Sequence, residues 1–355
     1  MRICVVSYHS SPLAPVGAGK SGGMSIVIRS LYGRMAQFAD IDIFVRGDEG
    51  IVEMGPGIRL IHVQRFDTHG FAEAIINHNA VHRYDLVHTH YWLSGVIGLQ
   101  LRHLLKVPWL HTLHTVEELK TIRQDKTRIE IEEEIIRLCD MVVSPTKQEA
   151  VAIKMRYPDA RTIAVPHGVD TGQFNPSPNG HNKILFVGRI DPIKGIHLLI
   201  DALRHVKHDI NLTVVGGPSK GARNSEDLKT YAAGLPIDFV GQVRHENLKE
   251  YYKRSAILVV PSHYESFGLV GLEAMASARP VVGFSHTGLQ ETVSEDAGIL
   301  VRMGARNLAR AINMLMGDCG LRQKLGRIGR ERALRYDWSN IAREYKRVYE
   351  KIIQE

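Results

Sequence analysis

The chain of 355 residues predicts two doubly wound α/β domains, each Rossmann-like, facing one another across a cleft. Three observations carry that expectation. Short apolar runs alternate with helix-period segments along nearly the whole chain, the pattern of βα units. A stretch dense in Pro, Gly and Asn at 166–181 breaks the rhythm near the middle and reads as a linker. The length also exceeds what one ordinary core organises. The boundaries that follow are 1–170 and 171–336.

In the first half, strands are expected near Ile3–Ser7, Ile41–Val45, Arg59–Val63, Leu86–His88, Trp109–His111, Met141–Ser144 and Thr162–Val165. Helical periodicity falls on Met24–Phe38, Leu93–Leu105 and Ile129–Leu138. The pattern restarts at Lys183–Val187, with strands near Leu212–Val215, Asp238–Val240, Ala256–Val260 and Val281–Gly283. Helices close the chain from Asn307 onward. In open parallel sheets ligands lie beyond the carboxyl ends of the strands, so the turns after strands are the places to seek chemistry.

Composition narrows the class. Hydrophobic residues at 44% and charged residues at 23% are those of a soluble globular protein, and no apolar run reaches membrane-spanning length. Cys4, Cys139 and Cys319 are scattered and odd in number, which argues for reduced thiols and against a disulfide frame or zinc knuckle. The strand at Met1–Val6 begins without a secretory segment, so a cytoplasmic protein is expected. Residues 302–355 hold 13 Lys/Arg against 6 Asp/Glu, a difference equal to the whole net charge of +7. The plain reading is a solvated face on the terminal helices. A peripheral contact with anionic lipid stays open beside it. No aromatic interleaving or nucleic-acid motif accompanies the charge, so no nucleic-acid partner is expected. Nothing specifies an oligomeric state.

Four turns carry candidate chemistry. The first follows the first strand and contains Gly17, Gly19, Gly22 and Gly23 ahead of a helix near Met24. Open amides at a helix start suit an anion, although the spacing is neither a GxGxxG fingerprint nor a Walker loop. Glycine-rich loops are also often merely flexible. The second, Val187-Gly188-Arg189-Ile190-Asp191-Pro192-Ile193-Lys194-Gly195, places Arg189 and Lys194 at the end of a strand. Cations near a helix start are mildly unfavourable unless an anion is to be held, and a diphosphate fits. A pair of ordinary surface cations is the alternative.

The third turn, Pro261 to Met275, is the most informative. Glu265 lies in the turn and Glu273 about two helical turns further on. Glu265 can accept from sugar hydroxyls, and the amides around Ser266, Phe267, Gly268 and Leu269 can receive a phosphate. Glu273 can take both ribose hydroxyls, and its apolar neighbours make an unpaired carboxylate there costly. An ordinary helix-start carboxylate is the plainer account of Glu265.

The last comprises His88-Thr89-His90 and His111-Thr112-Leu113-His114, at the ends of neighbouring strands. They admit a metal-dependent hydrolase, but no Asp, Glu or Cys set completes a ligand pattern, so no metal is assigned. With 18 histidines in the chain, some such pairs arise by chance.

Taken together these segments resemble the retaining GT-B glycosyltransferases of family four. Glu265-x7-Glu273 is similar to their paired-carboxylate motif, Gly188-Arg189-x-Asp191-x-x-Lys194-Gly195 to their diphosphate clamp, and Pro166-x-Gly168-Val169-Asp170 to their hinge, with His167 where Asn is common. Asp337-Trp338 resembles the element before a last helix that crosses back to the first domain, which sets 337–355 apart. The first half, through Ser10–Pro15, Gly22-Gly23-Met24 and His90-Tyr91-Trp92-Leu93-Ser94-Gly95, resembles two branches, the inositol-phosphate N-acetylglucosaminyltransferases and the sucrose-phosphate synthases. Gly216-Gly217-Pro218-Ser219 matches the former. His286-Thr287-Gly288-Leu289 and Lys20 depart from the family pattern.

The resemblance implies a transferase that needs no metal or other cofactor and takes a nucleotide-diphosphate sugar, UDP-glucose or UDP-N-acetylglucosamine, as co-substrate. Its acceptor would be a small phosphorylated sugar or inositol. Donor contacts would fall on Gly22, Gly23, Gly188, Arg189, Lys194, Gly216, the backbone near Val243, Ser266 to Leu269, and Glu273. The acceptor phosphate would fall on Tyr91, Thr115 and Arg128, with Arg65 as a further basic partner. His90 would contact the donor sugar near its 6-hydroxyl, and Arg189, Lys194 and Glu265 would complete the catalytic set. A lipid- or polysaccharide-directed transferase of the same fold, a hydrolase built on the histidines, and a silent nucleotide-binding protein are the alternatives.

Overall fold

The computed structural model describes residues 1–14, 22–65, 67–120, 124–177, 182–218, 225–294 and 296–355. The chain packs as two compact units, the first containing Met1–Ala14, Gly23–His167 and Trp338–Glu355, the second Gly168–Asp337.

The first unit begins β1 (Arg2–Val6), α1 (Gly23–Met35), β2 (Asp40–Arg46), β3 (Gly50–Gly55) and β4 (Ile58–Val63). It continues α2 (Thr68–His82), β5 (Leu86–His90), α3 (Trp92–Leu105), β6 (Trp109–Thr112), α4 (Lys126–Leu138), β7 (Met141–Ser144), α5 (Lys147–Arg156) and β8 (Thr162–Ala164). Its eight strands run in the order β3-β4-β2-β1-β5-β6-β7-β8. All neighbours are parallel except β3 and β4. Ile3, Cys4, Val5 and Val6 of β1 are all fully buried, as a central parallel strand covered on both faces requires.

The second unit holds β9 (Lys183–Val187), α6 (Ile196–Leu203), β10 (Asn211–Val215), α7 (Ser225–Tyr231), β11 (Ile237–Gly241), α8 (Leu248–Arg254) and β12 (Ile257–Val260). After these come α9 (Leu269–Ala276), β13 (Val281–Phe284), α10 (Leu289–Thr292), β14 (Gly298–Val301), α11 (Ala305–Gly317) and α12 (Cys319–Arg335). The six strands lie in the order β11-β10-β9-β12-β13-β14, all parallel. Its two ends are tied together: Val169 N donates to Tyr336 O at 2.9 Å and Thr171 Oγ1 to Asp337 Oδ2 at 2.7 Å. Arg330 caps three carbonyls, those of Thr171, Phe174 and Ala276.

The last helix, α13 (Trp338–Gln354), rejoins the first unit by packing on α1. Ile341, Tyr345, Val348, Tyr349 and Ile352 form its buried stripe, while Arg343, Arg347 and Lys351, spaced by four, stay exposed. The cations of this helix thus lie opposite its apolar face. Among the described residues no helix is long and apolar enough to cross a membrane.

Strand order matters for function because it creates a switch point in each sheet, where successive strands diverge to either side. In the first sheet it lies between β1 and β5, in the second between β9 and β12. The residues just after β5 are Tyr91 and Trp92. Those after β9 and β12 are the Gly188–Gly195 and Pro261–Gly268 turns.

Candidate active site

In the second unit the turns after β9 and β12 meet. The backbone after β9 keeps pairing beyond the strand: Gly188 N donates to Val215 O at 3.0 Å and Ile190 N to Gly217 O at 2.8 Å. Gly216 permits that approach, since a Cβ there would stand 1.8 Å from Gly188 O. Asp191 accepts from Ile193 N at 3.1 Å and starts the short turn that presents Lys194. His263 N donates to Ile193 O at 2.8 Å and Gly288 N to Glu265 O at 2.7 Å. The His286 ring lies 3.2 Å from His263 O. The His286–Leu289 segment therefore braces the Glu265 turn.

The outcome is an ion pair. Lys194 Nζ sits 2.5 Å from Glu265 Oε1, and Ser262 Oγ donates to the same oxygen at 2.8 Å. Glu265 Oε2 makes no hydrogen bond among the described residues, and an ammonium with three donors keeps two of them. Arg189 is exposed and has no hydrogen bond or ion pair among the described residues. An unengaged guanidinium therefore stands close in sequence to a lysine–carboxylate pair at a switch point.

Gly195 makes the pair possible. It adopts φ +65°, and a Cβ would lie 2.0 Å from Pro261 O, the backbone that leads to Glu265. Gly195→Ala is therefore expected to destabilise the second unit. Left-handed backbone alone costs roughly 1–2 kcal/mol, and the clash adds to it. Chemical unfolding would show the loss, and a variant as stable as the parent would refute the packing argument.

Glu273, on α9, is nearly fully buried. Its Oε1 lies 2.6 Å from His245 Nε2, and its Oε2 accepts from Tyr252 Oη at 2.8 Å. The Tyr252 hydroxyl stays protonated because burial, and then the Glu273 charge, raise its pKa well above the ordinary value. Each carboxylate oxygen retains a further lone pair. Val243 is half-buried two residues before His245. Phe267 and Gly268 are buried and Ser266 and Leu269 half-buried, with Gly268 at φ +87° opening α9. Gly23 begins α1, and a Cβ on Gly22 would meet nothing within 4 Å. Gly17, Gly19 and Lys20 lie outside the described residues.

In the first unit, three of the four expected acceptor residues converge. Tyr91 opens α3 at φ 71°, a strained conformation for a residue with a side chain. Arg128 Nη1 donates to Tyr91 Oη at 3.0 Å, and Nη2 to Thr115 Oγ1 at 2.7 Å and Thr115 O at 3.0 Å. The guanidinium also lies over the Tyr91 ring, 4.7 Å from its centroid. Arg65 is exposed and makes no hydrogen bond or ion pair among the described residues, so it does not join them.

Two carboxylates that the sequence reading did not single out hold Arg128. Glu132 Oε1 is 2.6 Å from Nε and Glu117 Oε2 is 2.8 Å from Nη1. Glu132 stands one helical turn from Arg128, a spacing visible in sequence, whereas Glu117 arrives from the loop after β6.

Strand β5 runs on to His90, so His88 and His90 share a face. The Tyr32 hydroxyl bridges them, 2.9 Å from His88 Nδ1 and 2.6 Å from His90 Nε2. Tyr349 of α13 reaches His88 Nδ1 at 2.6 Å, and His90 Nδ1 lies 2.9 Å from His114 Nε2. His90 is fully buried with both ring nitrogens engaged, so it meets a sugar only after one of those bonds opens. Burial pushes the pKa of His88, His90 and His114 far down, and those of His111 and His167 to about 3. These imidazoles are neutral. Among the described residues no group of three or more His, Cys, Asp and Glu is placed to hold a metal ion.

Two Rossmann-like units with charged turns at their switch points define the class, a glycosyltransferase of GT-B type. Residues 21–173 match the family described as Glycosyltransferase Family 4, and residues 171–332 the one described as Glycosyl transferases group 1. The chain belongs to glycosyltransferase family 4. It is 34% identical over 353 residues to a D-inositol 3-phosphate glycosyltransferase of Geodermatophilus obscurus, covering 84% of this chain and 78% of that one. A protein of the same description from Streptomyces bingchenggensis is 32% identical, over 98% and 89% of the two chains. The solved sucrose-phosphate synthase of Thermosynechococcus elongatus superposes with a TM-score of 0.91 at 32% identity, over 99% of both chains. HepE of Anabaena, solved with UDP and glucose, shares the fold at a TM-score of 0.82 and 18% identity, over 99% and 100%.

Proposed function

We propose that the protein is a retaining glycosyltransferase that moves a hexose or N-acetylhexosamine from a UDP-sugar to a small phosphorylated sugar or inositol. The observation that carries this reading is the Lys194–Glu265 pair, with the exposed Arg189 in the same turn as Lys194. It sets cations for a leaving diphosphate next to a carboxylate with a spare oxygen for sugar hydroxyls.

Breaking the bond between the anomeric carbon and the phosphate oxygen loads negative charge onto UDP. Arg189, the two spare donors of Lys194 and the amides at the start of α9 stabilise the added charge of the leaving diphosphate more than the lesser charge of the ground state, which is how such groups lower a barrier. Glu265 Oε2 receives a sugar hydroxyl and fixes the ring. Glu273, already oriented by His245 and Tyr252, offers its remaining lone pairs to the ribose. The acceptor hydroxyl attacks the anomeric carbon from the face that the phosphate leaves, and its proton passes to the departing phosphate oxygen. No enzyme nucleophile enters. The acceptor's phosphate is assigned to Tyr91, Thr115 and Arg128, which converge in the first unit. The relatives described as D-inositol 3-phosphate glycosyltransferases support that assignment.

The test is product analysis. UDP-glucose and UDP-N-acetylglucosamine are each incubated with inositol phosphate and hexose phosphates, and the product is examined by proton NMR. An α-glycoside and free UDP are expected. A β-glycoside would overturn the retaining reaction, and turnover with unphosphorylated acceptors alone would overturn the acceptor class.

A further inference from the structure

All three nitrogens of the Arg128 guanidinium are engaged by the protein. Its Nε bonds Glu132, Nη1 bonds Tyr91 and forms an ion pair with Glu117, and Nη2 bonds Thr115 twice. Glu132 is a local partner on the same helix. Glu117 is different. It is almost fully buried, and its Oε2 holds two cations at once, Arg128 Nη1 at 2.8 Å and Lys120 Nζ at 2.5 Å. Its Oε1 accepts from Asp125 N at 3.1 Å, and its own amide donates to Glu132 Oε2 at 2.7 Å. The cluster of Arg128, Lys120, Glu117 and Glu132 is therefore neutral.

Glu117 Oε2 and Tyr91 Oη share one donor nitrogen of Arg128, so the carboxylate and the phenol are neighbours. The Tyr91 and Thr115 hydroxyls both accept from Arg128, and neither donates its own proton to any acceptor among the described residues. Two cations thus meet one carboxylate oxygen, and two unspent hydroxyl donors lie on the same guanidinium. That is a donor set for a tetrahedral anion, filled by a side chain.

We infer that Glu117 is a resident stand-in for the acceptor's phosphate, and that a phosphorylated acceptor binds by displacing it from Arg128 and Lys120. This rests on the assignment of a phosphorylated acceptor above. A phosphate dianion cannot lie against Arg128 with a carboxylate still on the same nitrogen, because like charges at contact distance repel strongly in a buried site. Phosphate wins the exchange through its higher charge and extra oxygens, which engage Tyr91 and Thr115 as well. A neutral polyol carries no charge that competes with Glu117 for Arg128 and Lys120, so its binding does not depend on that exchange.

The experiment is Glu117→Gln, which keeps the side chain's shape and an oxygen for the Asp125 amide while removing its charge. Calorimetric titration uses D-myo-inositol 3-phosphate, with myo-inositol as the neutral control, on the full chain. The dissociation constant for the phosphorylated probe is expected to fall about tenfold or more, with the neutral control unmoved. If the wild-type protein binds inositol phosphate and the variant binds it no better, displacement is wrong while the acceptor reading stands. If neither protein binds a phosphorylated probe, both fall. Should the variant fold poorly, the wild-type crystal structure with the same probe decides. Phosphate oxygens on Arg128 with the Glu117 side chain moved away bear the inference out, and Glu117 still seated on Arg128 overturns it.

Discussion

Lys194→Ala lowers kcat/KM for transfer from a UDP-sugar by about 10²–10³-fold, the usual effect of removing one preorganised group that meets transition-state charge. The substitution removes the ammonium that sits 2.5 Å from Glu265 Oε1. The carboxylate keeps only its bond from Ser262 and stands unbalanced where the diphosphate charge grows, so the loss falls on kcat as well as on binding. Arg189→Ala produces a loss of similar size for a different reason. That side chain is exposed and without a protein partner among the described residues, so its removal leaves stability unchanged within about 0.5 kcal/mol. Steady-state kinetics with a melting curve on each variant separates the two effects. Full turnover in either variant would remove that residue from the clamp.

Acidification provides the second large effect. Burial holds His111 and His167 at a pKa of about 3 and pushes His88, His90 and His114 far below the ordinary value. In the unfolded chain the same groups titrate near about 6.5. Below that pH the unfolded state binds more protons than the folded one, so unfolding takes up protons and stability falls as pH falls. The stabilisation is intact above pH about 6.5 and each histidine then forfeits about 1.4 kcal/mol per pH unit, down to pH about 3 for His111 and His167. A few such groups exhaust a typical stability of about 5–15 kcal/mol, so the first unit is expected to unfold well above the pH at which its carboxylates protonate. Urea unfolding followed from pH 7.5 to 4.5 (about two units of titration below pH about 6.5) measures the slope. His167→Asn should flatten it by about 1.4 kcal/mol per pH unit, and an unchanged slope would show that His167 does not titrate on unfolding.

Much of the fold was legible in the chain. Strand β9 at Lys183–Val187 and β7 at Met141–Ser144 fall where the apolar runs place them, because a buried parallel strand must be apolar on both faces. The elements that escaped lack that signature. Strand β3 is an edge strand with Gly50 to Glu53 exposed, and it pairs antiparallel to β4. Helix α2 buries only Phe71, Ala72 and Ile75 along its 15 residues, which leaves almost no periodic stripe. β14 is short and mostly half-buried. Packing, not pattern, holds these elements in place.

At the site, the sequence by itself determined which residues stand at or just after the ends of strands, Arg189, Lys194, Glu265, Tyr91 and the histidine pairs, with Glu273 in the helix that follows the Glu265 turn. Those placements are local consequences of strand and turn chemistry. Only the tertiary structure decided what each charge faces. Lys194 and Glu265 are 71 residues apart, and His245 and Glu273 are 28 apart, and they meet because the order of strands brings turns distant in sequence together. Arg128 is a free cation in the sequence and a neutralised one in the fold, since Glu117 arrives on it from the loop after β6. Chain-local forces set period and placement, whereas the pairing of charges depends on distances that only the completed sheets define.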